Sequence, residues 1–162
     1  MRIEARLADL GLVLPQAMQT PTGVRLPFTN VRVRGQRAFV AGHGPLNTDG
    51  SLAGPFGKVP TDVSPEQAYQ SARLVGLAIL ASLKRELGDL DRVTAWLRVF
   101  GMVNSAPEFA AQPGVINGCS DLLLEVYGPE AGQHARSAVG LAALPFNIPV
   151  EIEAEVELAA ST

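Results

Sequence analysis

Two segments near the C-terminus carry residue types that could bind and hydrolyse a small acid. The first is Arg136-Ser137-Ala138-Val139-Gly140-Leu141-Ala142. Read as a strand over Ser137–Ala143, it puts Arg136, Ala138, Gly140 and Ala142 on one face. Small residues there leave room beside the guanidinium, whose planar fork suits a carboxylate. The second is Val150–Leu158, where Glu151, Glu153, Glu155 and Glu157 alternate with Val150, Ile152, Ala154, Val156 and Leu158. Alternation sends these carboxylates to one face. The plain reading is a half-buried strand with its acidic face in water. The sharper reading points that face into an oligomer, with Glu151, beside the turn, lining a cleft. A partly desolvated carboxylate there has a raised pKa and can take a proton from water. Arg136 has its own plain reading, as a surface arginine or one paired with a structural glutamate.

Other reactive residues are sparse. His43 and His134 are the only histidines. His43 follows a strand and opens a Gly-rich loop, so it is a candidate ligand contact; His134 reads as packing or facing solvent beside Arg136. No Gly-x-Ser-x-Gly elbow accompanies them, and their spacing does not suit zinc. The single cysteine, Cys119, falls within an expected helix and reads as a small buried apolar residue. The glycines between Gly44 and Gly57 do not form a dinucleotide fingerprint. Trp96 reads as core. No metal and no cofactor is expected.

The elements that must position these residues are readable. Ile3, Leu7 and Leu10 have helical spacing, stopped by Gly11. Pro15–Pro27 reads as an extended arm. Val31–Val33 and Ala38–Gly42 form a hairpin, with Gly35 supplying the turn. Gly44–Pro60 is a long Gly- and Pro-rich loop. Ser64, Pro65 and Gln67 make a capping box at the start of a helix. In that helix Ala68, Ala72, Val75, Ile79, Leu83 and Leu87 share a stripe, and Gly88 ends it. Val93–Val103 is a strand, and Val115–Tyr127 a helix closed by Gly128-Pro129. The strands at 137–143 and 150–158 follow. Two helices covering one face of a mixed sheet give an α+β fold.

The chain has 162 residues, 47% hydrophobic and 18% charged, with a net charge of −3. One domain is expected. So few charges on so apolar a chain suggest that part of the surface is hidden in an oligomer. The acidic balance, with Arg32, Arg34 and Arg37 only loosely clustered, argues against nucleic acid as the main partner. No apolar run suits a signal peptide or membrane span, so the reading is cytoplasmic.

Several segments resemble the RidA/YjgF family. Arg136-Ser137-Ala138-Val139, Leu144-Pro145 and Val150-Glu151-Ile152-Glu153-Ala154 resemble its C-terminal signature. Phe39–Leu46 is similar to its first hairpin, and Val103-Asn104 to Asn117 to its middle segment. The resemblance covers 28–156, leaving residues 1–27 as an N-terminal helix and arm before a domain at 28–162. It implies a chorismate-mutase-like (bacillus-type) fold and a homotrimer, with sheets lining an inner barrel and clefts between subunits. It also implies hydrolysis of reactive enamines and imines, such as 2-aminoacrylate, without metal or cofactor. Arg136 matches the residue that binds the substrate carboxylate, and Glu151 the one that places the attacking water. Asn117 matches an asparagine near the site. Phe28 stands where many members have tyrosine, Ala138 where some have cysteine, and Ala41-Gly42-His43 where Ser-Gly-Gln is usual. Two other readings are carried forward: a keto-acid-binding protein without turnover, and, disfavoured by charge, the endoribonuclease label of some members.

Overall fold

A computed structural model describes residues 2–160. Its elements are α1 (Arg2–Asp9), β1 (Val31–Arg34), β2 (Arg37–His43), α2 (Pro65–Leu87), β3 (Val93–Asn104), α3 (Gln112–Ala131), β4 (Ala135–Leu141) and β5 (Val150–Leu158). The sheet order is β1-β2-β5-β3-β4. Only β3 and β4 run parallel; the other pairs are antiparallel. The expected mixed sheet with helices on one face is therefore present.

Local chemistry explains the firmest boundaries. Ser64 Oγ accepts from Gln67 N, and Gln67 Oε1 accepts from Ser64 N, closing the capping box of α2. Gly88 ends that helix at φ 78°, where a side chain would be strained. The stripe from Ala68 to Leu87 is buried as expected, but the helix is also buried all round from Val75 to Leu83. The second cover is the N-terminal arm and the long loop: Leu12 and Val13 share a cleft with Leu46, Leu74 and Leu77. The arm is sewn to the loop by backbone bonds, Gln16 N to Thr48 O at 3.0 Å and Gln19 N to Gly50 O at 2.9 Å.

The bounds of β4 and α3 differ most from expectation. β4 begins at Ala135, not Ser137, because its pairing with β3 starts at Arg98↔Ala135; it stops at Leu141, opposite Asn104, where β3 ends. Arg136, Ala138 and Gly140 still share a face, because alternation does not depend on where the strand begins, while Ala142 falls just beyond it. α3 starts earlier, at Gln112, and breaks at Gly128 (φ 78°, ψ 176°) as its Gly-Pro pair demands, with one further turn to Ala131.

The helix-side core includes Val99, Val103, Ile152 and Val156, all fully buried, with Trp96 edge-on to Tyr127 at 5.8 Å. The other face of the sheet is open. It carries Phe39 and Val139, both exposed, Arg98 stacked on Phe100, and the β5 carboxylates. There Glu153 and Glu157 are exposed, while Glu155 is half-buried and pairs with Arg37 at 3.0 Å. Among the described residues no helix is long and apolar enough to cross a membrane.

The α2–α3 contact turns on Gly118, where an added Cβ would strike the Tyr69 carbonyl oxygen. Backbone cannot step aside as a side chain could, so Gly118→Ala is expected to cost about 1–3 kcal/mol. In thermal unfolding this is a fall of about 2–12 °C. Gly114→Ala, which meets nothing within 4 Å, is expected to leave the midpoint unchanged or raise it.

Candidate functional site

Glu151 begins the open face of β5, and two local features make its environment. The first is the turn before it, where Phe146 and Asn147 both adopt φ 57°. Asn147 is pinned there: its Oδ1 accepts from Asn104 Nδ2 at 3.3 Å and its carbonyl from Gly57 N at 2.8 Å. Backbone strain held this firmly is typical of site-forming segments. The second is a bulge in β2. Val40 pairs with Ala154 and His43 with Ile152, so β2 gains one residue on β5. Gly42 falls at that irregularity, and its missing Cβ is the space that Glu151 Oε1 occupies.

The result is a cavity of about 240 Å³ within one chain. Its polar groups are Glu151, His43, Ser82, Arg85 and Asn30. Leu46, Leu52 and Ile148 form apolar walls, Met18 and Leu26 come from the N-terminal arm, and Phe28 follows directly after it. A larger cleft, about 470 Å³, lies on the open sheet face, but its lining of Arg32, Arg98, Glu153 and Glu155 is largely self-neutralising. The Glu151 carboxylate is half-buried and has no hydrogen-bond partner among the described residues. Burial, and then the neighbouring Glu153 charge, push its pKa above the ordinary carboxylate range. That is the condition of a carboxylate able to accept a proton from water.

His43 is not a loop residue, as its sequence position suggested. It ends β2, and the bulge turns it inward against α2, where it is 8% exposed. Its Nδ1 lies 2.6 Å from the Ala41 carbonyl, and that acceptor requires the proton on Nδ1. Nε2 is then an acceptor and takes the Ser82 hydroxyl proton at 2.8 Å. Ser82 Oγ in turn accepts from Arg85 Nη2 at 2.9 Å. Burial, with the Arg85 charge adding to it, lowers the His43 pKa against the opposing Ala41 bond, so the ring is neutral near pH 7.

The remaining expected site residues gather elsewhere. Arg136 Nη1 donates to Asn117 Oδ1 at 2.8 Å and to Ser120 Oγ at 3.1 Å, and Nη2 to the Pro113 carbonyl at 3.3 Å. All three acceptors are neutral, so the charge is held without being cancelled. His134 supports it: Nδ1 faces the Gly132 carbonyl at 2.7 Å and Nε2 meets Ser120 Oγ at 2.9 Å. Ala138 lies on the same side of β4, against the core. The six candidates therefore fall into two groups within one chain. Phe28, His43 and Glu151 line the cavity; Arg136, Asn117 and Ala138 do not. Cys119 is buried, and its thiol is pushed up to about 12 by that burial, which removes it as a nucleophile.

Ser82 and Arg85 were not legible as site residues, since both sit in a helix otherwise read as core and solvent face. Their spacing of one helical turn was the available signal. The arm residues Met18 and Leu26 had none.

The chain matches the family described as "YjgF/chorismate_mutase-like, putative endoribonuclease" over residues 4–156. It is 40% identical to Protein TCP17 of Trypanosoma cruzi, covering 97% of this chain and 94% of that one. It is also 40% identical to the Agrobacterium tumefaciens protein Atu1372, described as of unknown function, at a TM-score of 0.86 over 98% and 93% of the two chains. A Shewanella oneidensis protein described as "a putative endoribonuclease" aligns at a TM-score of 0.85 with 29% identity, over 96% and 99%. The matched span takes in the arm and α1 from Glu4 onward, all of which lay outside the resemblance read from sequence.

Proposed function

From the chain's place in the RidA/YjgF family, to which it belongs, and from its buried acid, we propose that it hydrolyses a small imine or enamine bearing a carboxylate. The observation that carries this reading is Glu151: a half-buried carboxylate, unpaired, with raised basicity, in a small cavity. Its complement is Arg136, which is charged and, among the described residues, bonded only to neutral acceptors. Within one chain β3 stands between their strands. The reading therefore requires a homotrimer in which Arg136 of a neighbouring protomer reaches the Glu151 cavity. The outer position of β4 in the sheet and the exposed apolar side chains of the open face favour such an assembly.

The chemistry balances without redox. Arg136 of the neighbouring protomer holds the substrate carboxylate, setting the imine carbon beside Glu151. Water oxygen bonds to that carbon, the C=N electron pair moves to nitrogen, and Glu151 takes the water's proton. Glu151 returns that proton to nitrogen, a second proton from solvent makes the amine a leaving group, and as the C–N bond breaks the hydroxyl proton passes to Glu151 and from it to the departing ammonia, giving ammonium. One water is consumed; a keto acid and ammonium are released.

The test is the decay of 2-aminoacrylate generated from serine. The protein is expected to accelerate it over buffer, and Arg136→Ala to lose about 10- to 100-fold of that acceleration, the worth of a hydrogen bond to a charged group. No acceleration by the wild-type protein would overturn the reading. A keto-acid-binding role is the second reading, favoured by Phe28, which lines the cavity without a hydroxyl. Saturable, Arg136-dependent binding with no turnover would select it. The net charge of −3 disfavours ribonuclease action.

A further inference from the structure

The two arginines are built alike. Arg136 is held by Ser120, whose hydroxyl is oriented by Nε2 of His134; Nδ1 of that ring is fixed by the carbonyl two residues earlier, at Gly132. Arg85 is held by Ser82, oriented by Nε2 of His43, whose Nδ1 is fixed by the carbonyl two residues earlier, at Ala41. In both, an imidazole sets a serine and the serine sets a guanidinium. Each serine lies on a helix, Ser82 on α2 and Ser120 on α3, and each histidine beside a strand end.

Arg85 lines the Glu151 cavity. Its other partner is the Pro15 carbonyl of the arm, at 3.3 Å. Among the described residues no carboxylate pairs with it, and a guanidinium carries more donors than these two acceptors use. The wall it shares with Glu151 is otherwise mostly apolar: Leu46, Leu52, Ile148, Met18, Leu26 and Phe28. A charge so placed selects ligands at its own end of the cavity, since leaving donors unmatched beside an apolar ligand loses affinity.

We propose that Arg85 is a second anion-binding residue, and that the site takes dicarboxylic substrates. One carboxylate lies beside the reacting carbon, and the other lies at the end of a short methylene chain on Arg85. This rests on the hydrolytic reading for the first carboxylate, but the Arg85 end stands on its own geometry. The cavity holds roughly eight water volumes, room for a short chain rather than a peptide or nucleotide.

Binding of product-like keto acids to the intact protein tests it. Two pairs of probes share a chain length and differ in the distal carboxylate: 2-oxoglutarate with 2-oxopentanoate, and 2-oxoadipate with 2-oxohexanoate. In at least one pair the dicarboxylate is expected to bind about 10- to 100-fold more tightly. Arg85→Met is expected to bring the affinity ratio within the pair close to one, and Arg85→Lys to retain part of it. Arg136→Ala weakens both members of a pair alike. Should Arg85→Met lower the thermal midpoint, the Lys variant decides through the pair ratio, which a general loosening of the fold would not change. Equal affinities within both pairs, or a preference that survives Arg85→Met, overturn the proposal. The two readings fail separately. An Arg85-dependent preference without imine turnover sinks only the hydrolytic one; imine turnover with no distal-carboxylate preference sinks only this one.

Discussion

Glu151→Gln is expected to slow imine hydrolysis by about 10²- to 10⁴-fold, the usual worth of a positioned general base, and to make the protein more stable. Both outcomes come from one cause. Burial and Glu153 raise the Glu151 pKa from its ordinary value of 4.5, so the native state pays for keeping the group ionised. The sign follows from proton counts. Between the unfolded pKa and the raised folded one, the native state holds a proton that the unfolded chain has lost. Stability contributed by this group therefore falls as pH rises through that window and stays lost above it. Gln is neutral at every pH and avoids the cost. Removing that cost should raise the thermal midpoint at neutral pH, by an amount that solvent screening of the half-exposed carboxylate keeps small. The gain should vanish below pH 4. Wild-type turnover should behave in the opposite sense, declining as acid protonates Glu151. A Gln variant that keeps its rate, or melts lower at pH 7, contradicts this account of the residue.

Gly42→Ala is the second large effect. An alanine Cβ there would overlap Glu151 Oε1 and stand 3.0 Å from its Cδ and 3.3 Å from its Cγ. Gly42 is not among the glycines with positive φ, so the backbone itself accepts alanine. The collision falls on a side chain with nothing tethering its carboxylate. Glu151 must swing away, and a displacement of about 1 Å at a reacting centre can cost about 10²-fold in rate. The expected signature is a loss of kcat near that size with a thermal midpoint within about 3 °C of wild type. Unchanged kcat would mean that the carboxylate does not work from the position seen here.

Part of this arrangement was written in the sequence. Strict alternation from Val150 to Leu158 gave β5 and the face of Glu151, and the Ser64–Gln67 box gave the start of α2, because both signals are local. Placement of β4 was off by two residues, since its ends are set by pairing with β3 rather than by its own composition. His43 was misread for a related reason. A bulge adds one residue to β2 relative to β5, and nothing in Val40-Ala41-Gly42-His43 announces that the alternation slips there. The arm's place over the cavity depends on backbone bonds such as Gln16 N to Thr48 O, which carry no side-chain signature. Nor does alternation say which strands are neighbours. Arg136 and Glu151 looked like partners in sequence, yet β3 separates their strands within a chain.

That separation supplies the decisive experiment. Arg136→Ala and Glu151→Gln, each nearly inactive alone, are co-expressed in equal amounts so that mixed trimers form. If each site joins Arg136 of one protomer to Glu151 of the next, random assembly leaves about one site in four intact. About a quarter of wild-type imine hydrolysis should return. If mixed trimers form and activity stays at the level of the single variants, the site is not shared between chains, and the proposed division of labour between Arg136 and Glu151 is wrong.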